Sequence, residues 1–208
     1  MKGSWLRMAE VFLHRLRIRR ADWRRTTLWV LDLETGGLDP RTDPILSVGM
    51  VPIREGAIAL GDAYYSLVAS DRPIDESSLR IHHILPGDLE VAPSPADVLA
   101  EVRRRVEGGV LVVHQWSVDV PFLAHGFRAL GHEPPVFAVI DTVELLRRYA
   151  RRQGLVNMER TQFSTALTDA REWFGLPPHR SHEALSDAVA TAELFLVLAH
   201  RLGARRLG

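Results

Sequence analysis

Cysteine is absent from the 208 residues of this chain, and its absence excludes disulfide bonds and thiolate metal sites. A reducing compartment is therefore favoured, and any bound metal must be held by oxygen or imidazole ligands. The chain also lacks an apolar run of the roughly 20 residues that a membrane-spanning helix needs, and arginines interrupt its N-terminal stretch too often for a secretion signal. We expect a cytoplasmic protein that does not enter a membrane.

Net charge is lacking too, because 26 basic side chains balance 26 acidic ones. The balance is uneven along the chain: residues 1–25 carry a net charge of +6, which leaves −6 for the remainder. Apolar side chains recur in this stretch every three or four residues and predict a basic amphipathic helix in an N-terminal segment, residues 1–26. They are Trp5, Met8, Phe12 and Leu16. The segment either packs on the domain, contacts nucleic acid, or meets a partner or membrane surface.

The remaining chain, residues 27–208, alternates between strand and helix patterns. Apolar runs predict strands at 28–33, 45–53, 57–68, 110–113 and 137–140, the second and third joined by a short turn containing glycine. Helical periodicity appears at 95–107, 119–130, 142–152, 163–174 and 183–202, and residues 151–162 read as a flexible loop. This order predicts an α/β domain with a mixed five-stranded sheet flanked by helices.

The stretch "WVLDLETGGLDP" places Asp32 and Glu34 at the end of the first strand. Side chains alternate along a strand, so both carboxylates point to one face, and the apolar residues before them indicate a buried strand. Two acids in a nearly dry site are costly without protons or cations, and hard divalent ions prefer carboxylate oxygens. The glycines Gly36 and Gly37 would let the backbone approach a ligand. Acids near a surface turn are the common alternative.

Two further stretches carry candidate site residues. In "HQWSVDVPFL", Ser117 can cap a helix whose first turn contains Asp119, although an acid there can also merely complement the helix dipole. In "HRSHEALSDAVATAEL", Asp187 lies in an alanine-rich helix that could approach the sheet closely. His182 precedes Asp187 by five residues, about 140° around an ideal helix, so the two converge best if His182 lies in the loop or first turn. A residue that merely starts the helix is the alternative.

Together these stretches resemble the DEDDh exonucleases over about residues 28–200. "DLETGGL", "HQWSVDVPFL" and "HEALSDA" are similar to the three motifs of that family, which includes the proofreading epsilon subunit of bacterial DNA polymerase III and ribonuclease T. "IDTVELLRR" and "IHHI" resemble two secondary segments. The resemblance implies a ribonuclease H-like fold.

The resemblance also implies site residues. It makes Asp32, Glu34, Asp119 and Asp187 the ligands of two Mg²⁺ or Mn²⁺ ions and His182 the general base. Substrate-binding positions would be Thr35, Gly36, Leu38 and His82, with Leu38 wedged against terminal bases. Departures from the family pattern alter the nucleotide pocket but remove no metal ligand; they are Gln115, Val118, Gly36 and His83.

The function implied is a 3′-to-5′ exonuclease that releases nucleoside 5′-monophosphates and prefers DNA, in repair, proofreading or end processing. An exoribonuclease that trims RNA is the alternative within the family, and an inactive nucleic-acid-binding or polymerase-associated module is the alternative of another class. The expected partner is nucleic acid with a free 3′ end, single-stranded DNA first, with polymerase association or a homodimer also open. Because the chain ends soon after the last predicted helix, we expect a stand-alone enzyme rather than a replicative subunit.

Overall fold

The computed structural model describes residues 21–72, 79, 82–155 and 163–204. Its strands are β1 (Leu28–Thr35), β2 (Ile45–Arg54), β3 (Ala57–Ile58), β4 (Tyr64–Leu67), β5 (Val110–Val113) and β6 (Ala138–Asp141). They form a central mixed sheet in the order β3–β2–β1–β5–β6, and β4 also pairs with β2. β1 is antiparallel to β2 and parallel to β5, which is parallel to β6. The predicted α/β class is confirmed.

Six helices accompany this sheet in the part of the chain that the structure describes. They are α1 (Pro86–Glu90), α2 (Pro95–Val106), α3 (Trp116–Ala129), α4 (Thr142–Arg152), α5 (Leu167–Trp173) and α6 (Ala184–Arg201). All five predicted helices are present, within a few residues of their expected bounds, and α1 was not expected. The predicted flexible loop at 151–162 lies outside the described residues from 156 onward.

The sheet has six strands rather than five because the run predicted at 57–68 is divided. Ile58 pairs with Ile53, and Tyr64 pairs with Met50. The five residues 59–63 between these pairings therefore lie opposite only two residues of β2, 51 and 52. The excess backbone folds into a short 3₁₀ turn at Leu60–Asp62. The predicted hairpin turn is present: Glu55 and Gly56 both have positive φ, 52° and 78°, as a tight hairpin turn requires.

The central strand β1 is buried on both faces. Leu31 and Leu33 point to the face covered by α2 and α3. Leu28 and Val30 point to the opposite face, where the alanines of α6 pack. Because side chains alternate along the strand, Asp32 and Glu34 continue the row of Leu28 and Val30 toward α6.

The start of α3 differs from the prediction, because Ser117 does not cap it. The helix begins at Trp116, and its N-cap residue Gln115 has a left-handed φ of 71° and no side-chain capping bond. Asp141 caps it instead from the end of the neighbouring strand β6: its carboxylate accepts the N–H groups of Gln115 at 3.0 Å and Trp116 at 3.3 Å. The same carboxylate accepts the N–H of Val143 and so also caps α4.

Part of the predicted N-terminal segment is integral to this core. Trp23 is buried, its Nε1–H donates to the carbonyl of Ala204 at 2.7 Å, and its ring meets Phe195 edge-on. Residues 1–20 of the predicted amphipathic segment, 1–26, lie outside the described residues, so the segment's helix and its boundary at residue 26 stay predictions. No helix in the described ranges is both long and apolar enough to cross a membrane.

Candidate active site

Three of the predicted metal-site acids converge where β1 ends. Each of Asp32, Glu34 and Asp187 offers a carboxylate oxygen, and these three oxygens lie within 4.8 Å of one another. Asp32 is half-buried, whereas Glu34 and Asp187 are 8% and 7% exposed. They line a pocket of about 380 Å³ together with His179 and His182, a volume within the range of small-ligand sites.

Close contact between α6 and the sheet brings Asp187 to β1. Gly49 of β2 lies opposite Asp32 in the antiparallel register, and the backbone of Ala184 rests on it. A Cβ atom at Gly49 would lie 2.2 Å from the carbonyl carbon and oxygen of Ala184. Only glycine therefore lets the first turn of α6, which contains Asp187, come this near to the acids of β1.

Asp119 reaches the site from the other layer of the fold. It lies in the first turn of α3, as predicted, and is 3% exposed. Its charge raises the pKa of Asp32. Asp119 is nevertheless outside the group of acids that share a 4.8 Å neighbourhood among the described residues.

The crowded acids hold protons tightly. Burial raises the pKa of Asp32 well above its ordinary value, and the charges of Asp119, Asp187 and Glu34 raise it further. Burial, with Asp187 adding to it, raises the pKa of Glu34 to about 8. Burial likewise raises the pKa of Asp119 to about 8, against the lowering effect of backbone hydrogen bonds. The negative charge of such a cluster of acids is neutralised either by protons or by cations. Four clustered carboxylates fit a divalent metal.

His182 lies in the loop just before α6, with a left-handed φ of 65°. Its backbone N–H donates to Oδ2 of Asp187 at 2.6 Å, which places the imidazole at the rim of the pocket rather than on the helix. The expectation that the two residues converge through the loop is confirmed. The side chain of His182 is exposed in this structure.

His179 is a site residue that the sequence reasoning missed. Its Nε2 lies 2.9 Å from Oδ1 of Asp187, and its side chain is only 7% exposed. It comes from a loop rich in proline, basic residues and serine, "LPPHRSHE", whose pattern carries no signal that one histidine turns inward.

His114, from the second motif, holds the pocket wall. Its Nε2 lies 2.9 Å from the carbonyl of Thr165, and its Nδ1 lies 2.8 Å from the hydroxyl of Thr142. A carbonyl only accepts, so Nε2 carries a proton that it donates to Thr165, while the hydroxyl of Thr142 also donates to the carbonyl of Val113 at 3.2 Å. Burial lowers the pKa of His114 and so favours its neutral form. The histidine thereby ties the end of β5 to the segment that leads into α5.

The loop after β1 presents Leu38, which is 86% exposed. Two hydrogen bonds close the base of this loop. The N–H of Gly36 donates to the carbonyl of Pro44 at 2.9 Å, and the hydroxyl of Thr35 donates to the carbonyl of Gly37 at 2.7 Å. Asp43 packs against Gly37, where a Cβ atom would lie 2.2 Å from its carboxylate oxygen. A Cβ atom at Gly36 would lie 2.8 Å from the ring of Pro44, so the compact loop itself favours glycine at both positions.

His82 is buried, and its Nδ1 accepts the N–H of Ile84 at 3.0 Å. The proton of the neutral ring is therefore on Nε2, which has no hydrogen-bond partner among the described residues. Burial lowers the pKa of His82, as do His83 and His182.

Comparison with known proteins agrees with this geometry. A family model described as Exonuclease (RNase_T) matches residues 29–195. The DNA polymerase III PolC-type proteins of Thermotoga petrophila and Thermotoga maritima are each 35% identical to this chain, over 179 and 173 residues. These matches cover 85% and 82% of this chain. The chain spans only 12% of the length of these relatives.

Among solved structures, Escherichia coli Exonuclease I in complex with a dT13 oligonucleotide matches with a TM-score of 0.75 at 17% identity, over 86% of this chain and 42% of that one. The zinc-bound complex of the same enzyme with single-stranded DNA gives the same values. This likeness confirms the predicted ribonuclease H-like fold. The family model runs from the strand that carries Asp32 and Glu34 into the helix that carries Asp187, and the chain therefore belongs to the exonuclease family.

Proposed function

We propose that this chain is a metal-dependent 3′-to-5′ exonuclease that prefers DNA. The observation that carries the proposal is the convergence of Asp32, Glu34 and Asp187 in one pocket beside His182. Membership of the exonuclease family supports the same reaction class. The products are nucleoside 5′-monophosphates released one at a time from a 3′ end.

Asp32, Glu34, Asp119 and Asp187 are the residues that hold the metal in this proposal. Their carboxylate oxygens suit two Mg²⁺ or Mn²⁺ ions, with Asp119, which is set back from the other three, acting through water. The ions would screen the charge of the phosphate and lower the pKa of a bound water. Each carboxylate must be ionised to bind, so metal binding releases the protons that the crowded acids otherwise retain.

His182 is the general base. Its side chain is exposed at the pocket rim while its backbone is fixed by the bond to Asp187. The imidazole takes a proton from the attacking water, the new bond forms between that water oxygen and phosphorus, and the bond from phosphorus to the 3′ oxygen breaks. The 3′ oxygen leaves with the bonding electron pair, takes a proton from solvent water and remains on the shortened strand as its new 3′ hydroxyl.

Substrate contacts come from the loop after β1 and from His82. The exposed apolar side chain of Leu38 packs against the terminal base. The hydrogen bonds of Thr35 and Gly36 brace its loop and hold this side chain in place. His82 donates to a phosphate or hydroxyl oxygen of the substrate from its Nε2–H, which has no partner among the residues that the structure describes. A buried donor without a partner favours a ligand that supplies an acceptor.

The names of the similar proteins support DNA rather than RNA as the substrate. The matched relatives are named as DNA polymerases, and the structural neighbours are named as complexes with DNA oligonucleotides. The same names support association of this chain with a polymerase as a proposal. A homodimer remains a prediction.

The decisive experiment digests matched DNA and RNA oligonucleotides of one sequence, each with a free or a blocked 3′ end, in Mg²⁺ and in Mn²⁺. We expect stepwise shortening of DNA from the free 3′ end, slower shortening of RNA, no digestion of blocked strands, and complete inhibition by a chelator. Faster digestion of RNA would make the chain an exoribonuclease. Binding of either strand without any product, in both metals, would make it an inactive binding module.

A further inference from the structure

His179 faces the acid cluster, yet the proposed reaction gives it no role. It lies three residues before His182, lines the same pocket and is almost fully buried at its side chain. Its Nε2 lies 2.9 Å from Oδ1 of Asp187. When Asp187 is ionised, as metal binding requires, its oxygen only accepts hydrogen bonds, so Nε2 must carry the proton in this contact.

Asp187 is therefore held at both oxygens. His179 donates to Oδ1, and the backbone N–H of His182 donates to Oδ2 at 2.6 Å. An ionised carboxylate has about four acceptor sites, two on each oxygen, so each oxygen of Asp187 keeps one site for a cation. Two donors on two different oxygens fix the plane of the carboxylate as well as its position.

The loop that carries His179 is anchored independently of Asp187. Arg171 of α5 is 3% exposed and donates to the carbonyl of Pro177 at 2.9 Å and to the carbonyl of Ala190 at 2.7 Å. Ser181 lies within 3.3 Å of the hydroxyl of Thr168. The loop on both sides of His179 is thus held by α5 and α6, independently of the contact between His179 and Asp187.

We propose that His179 is a positioning residue that orients Asp187 for divalent-cation binding. This inference rests on the proposed function, which makes Asp187 a metal ligand. Partners that hold a ligating carboxylate typically change metal affinity by roughly 10- to 100-fold when they are removed. Among the described residues, the acids Asp32, Glu34 and Asp187 form the group of potential ligands without His179, so the imidazole acts through Asp187 and not on the cation itself.

The test is calorimetric titration of Mn²⁺ into the metal-free full chain, with four proteins compared. His179→Ala removes the donor, and we expect it to weaken Mn²⁺ binding by roughly 10- to 100-fold. His179→Gln places a side-chain N–H near the former Nε2, and we expect most of the affinity to return. His200→Ala, an exposed histidine near the end of α6, is the matched control and should bind like the wild type.

The outcomes separate the inference from the function on which it rests. Wild-type affinity in a folded His179→Ala variant would overturn the positioning role. Equally weak Mn²⁺ binding by the Ala and Gln variants, with thermal unfolding showing both folded, would also overturn it. If the N–H donor of Gln cannot restore the affinity, the imidazole does not act as a hydrogen-bond donor to Asp187. Failure of the wild type itself to bind Mn²⁺ would instead overturn the proposed function.

Discussion

The two halves of β1 occupy the same sheet but have opposite effects on stability. Residues 28–31 are buried on both faces by apolar side chains from α2, α3 and α6. Residues 32–35 continue the same alternation, but on the α6 face the apolar row is replaced by Asp32 and Glu34. We call these the core half and the acid half of β1.

The difference shows where the molecule gives up stability for chemistry. Burial of the core half stabilises the fold by about 25 cal/mol per Å² of apolar surface removed from water. The acid half removes carboxylates from water next to one another, which raises the pKa of Glu34 to about 8 and that of Asp32 well above its ordinary value. One strand can carry both because its stable half holds the reactive half in position.

The largest expected effect is on turnover, from Asp32→Asn in the acid half. Loss of a carboxylate shared by the metal site should lower the rate of DNA digestion by several orders of magnitude. The free energy of unfolding of the metal-free protein should stay the same or rise, because one source of acid repulsion is removed.

Steady-state digestion and urea unfolding of the same samples measure both quantities. Asp62→Asn, which removes an exposed acid paired with Arg54, is the control and should change neither by much. Near-normal turnover in folded Asp32→Asn would remove the metal-site assignment.

The next effect is from His182→Ala. If His182 is the general base, the chemical rate should fall by roughly 10² to 10⁴, and the acid limb of the pH profile should disappear or shift. Metal affinity should be largely retained, because His182 contacts Asp187 through its backbone N–H and not through its ring.

Single-turnover digestion measures the rate, and calorimetry measures the metal affinity. A large loss of metal affinity in this variant would mean that His182 is itself a metal ligand. His182 would then belong to the metal site together with the acid half of β1.

A smaller effect, on stability alone, is expected in the core half. Leu28 is fully buried, and Leu28→Ala should lower the free energy of unfolding by about 2 to 5 kcal/mol. Turnover per folded molecule should be close to that of the wild type, because Leu28 lies at the opposite end of β1 from the acids.

Urea unfolding and an active-site titration with metal check this pair of expectations. A large fall in turnover at full folding would contradict the separation of the two halves.

The smallest effect is the pH dependence of stability without metal. Glu34 and Asp119 have pKa values of about 8 in the fold, against 4.5 and 3.8 ordinarily, so between about pH 4.5 and 8 the folded chain binds more protons than the unfolded chain. Stability therefore falls as pH rises through this window, by up to about 1.4 kcal/mol per pH unit for each retained proton. Below about pH 4 this contribution is fully present.

Urea unfolding in a chelator at several pH values measures the slope, and Mn²⁺ at pH 8 should recover the loss. Glu34→Gln should flatten the slope. The comparison with this variant cancels His82 and His114, whose lowered pKa values act in the opposite direction. An unchanged slope in Glu34→Gln would mean that Glu34 is ionised in the metal-free fold.

Local patterns determined much of this molecule from the sequence alone. Apolar runs located β1 and β2, and the alternation of side chains along a strand placed Asp32 and Glu34 on one face, because the direction of a side chain follows from strand geometry at that residue. The resemblance of three motifs to a known family selected the four acids and His182, and the structure brings three of those acids together. The helix predicted for residues 1–25 rests on the same kind of pattern and lies, up to residue 20, outside the described part of the chain.

Contacts between distant parts of the chain were decided only by the tertiary structure. Gly49 admits the first turn of α6, Asp141 caps α3 across two strand ends, and His179 reaches Asp187 from a loop anchored by Arg171. A glycine in a strand and an aspartate before a helix were visible signals, but what each contacts depends on how the layers meet. Hydrogen bonds and close approaches act over about 3 Å, so residues far apart in sequence acquire partners only when packing has set that distance.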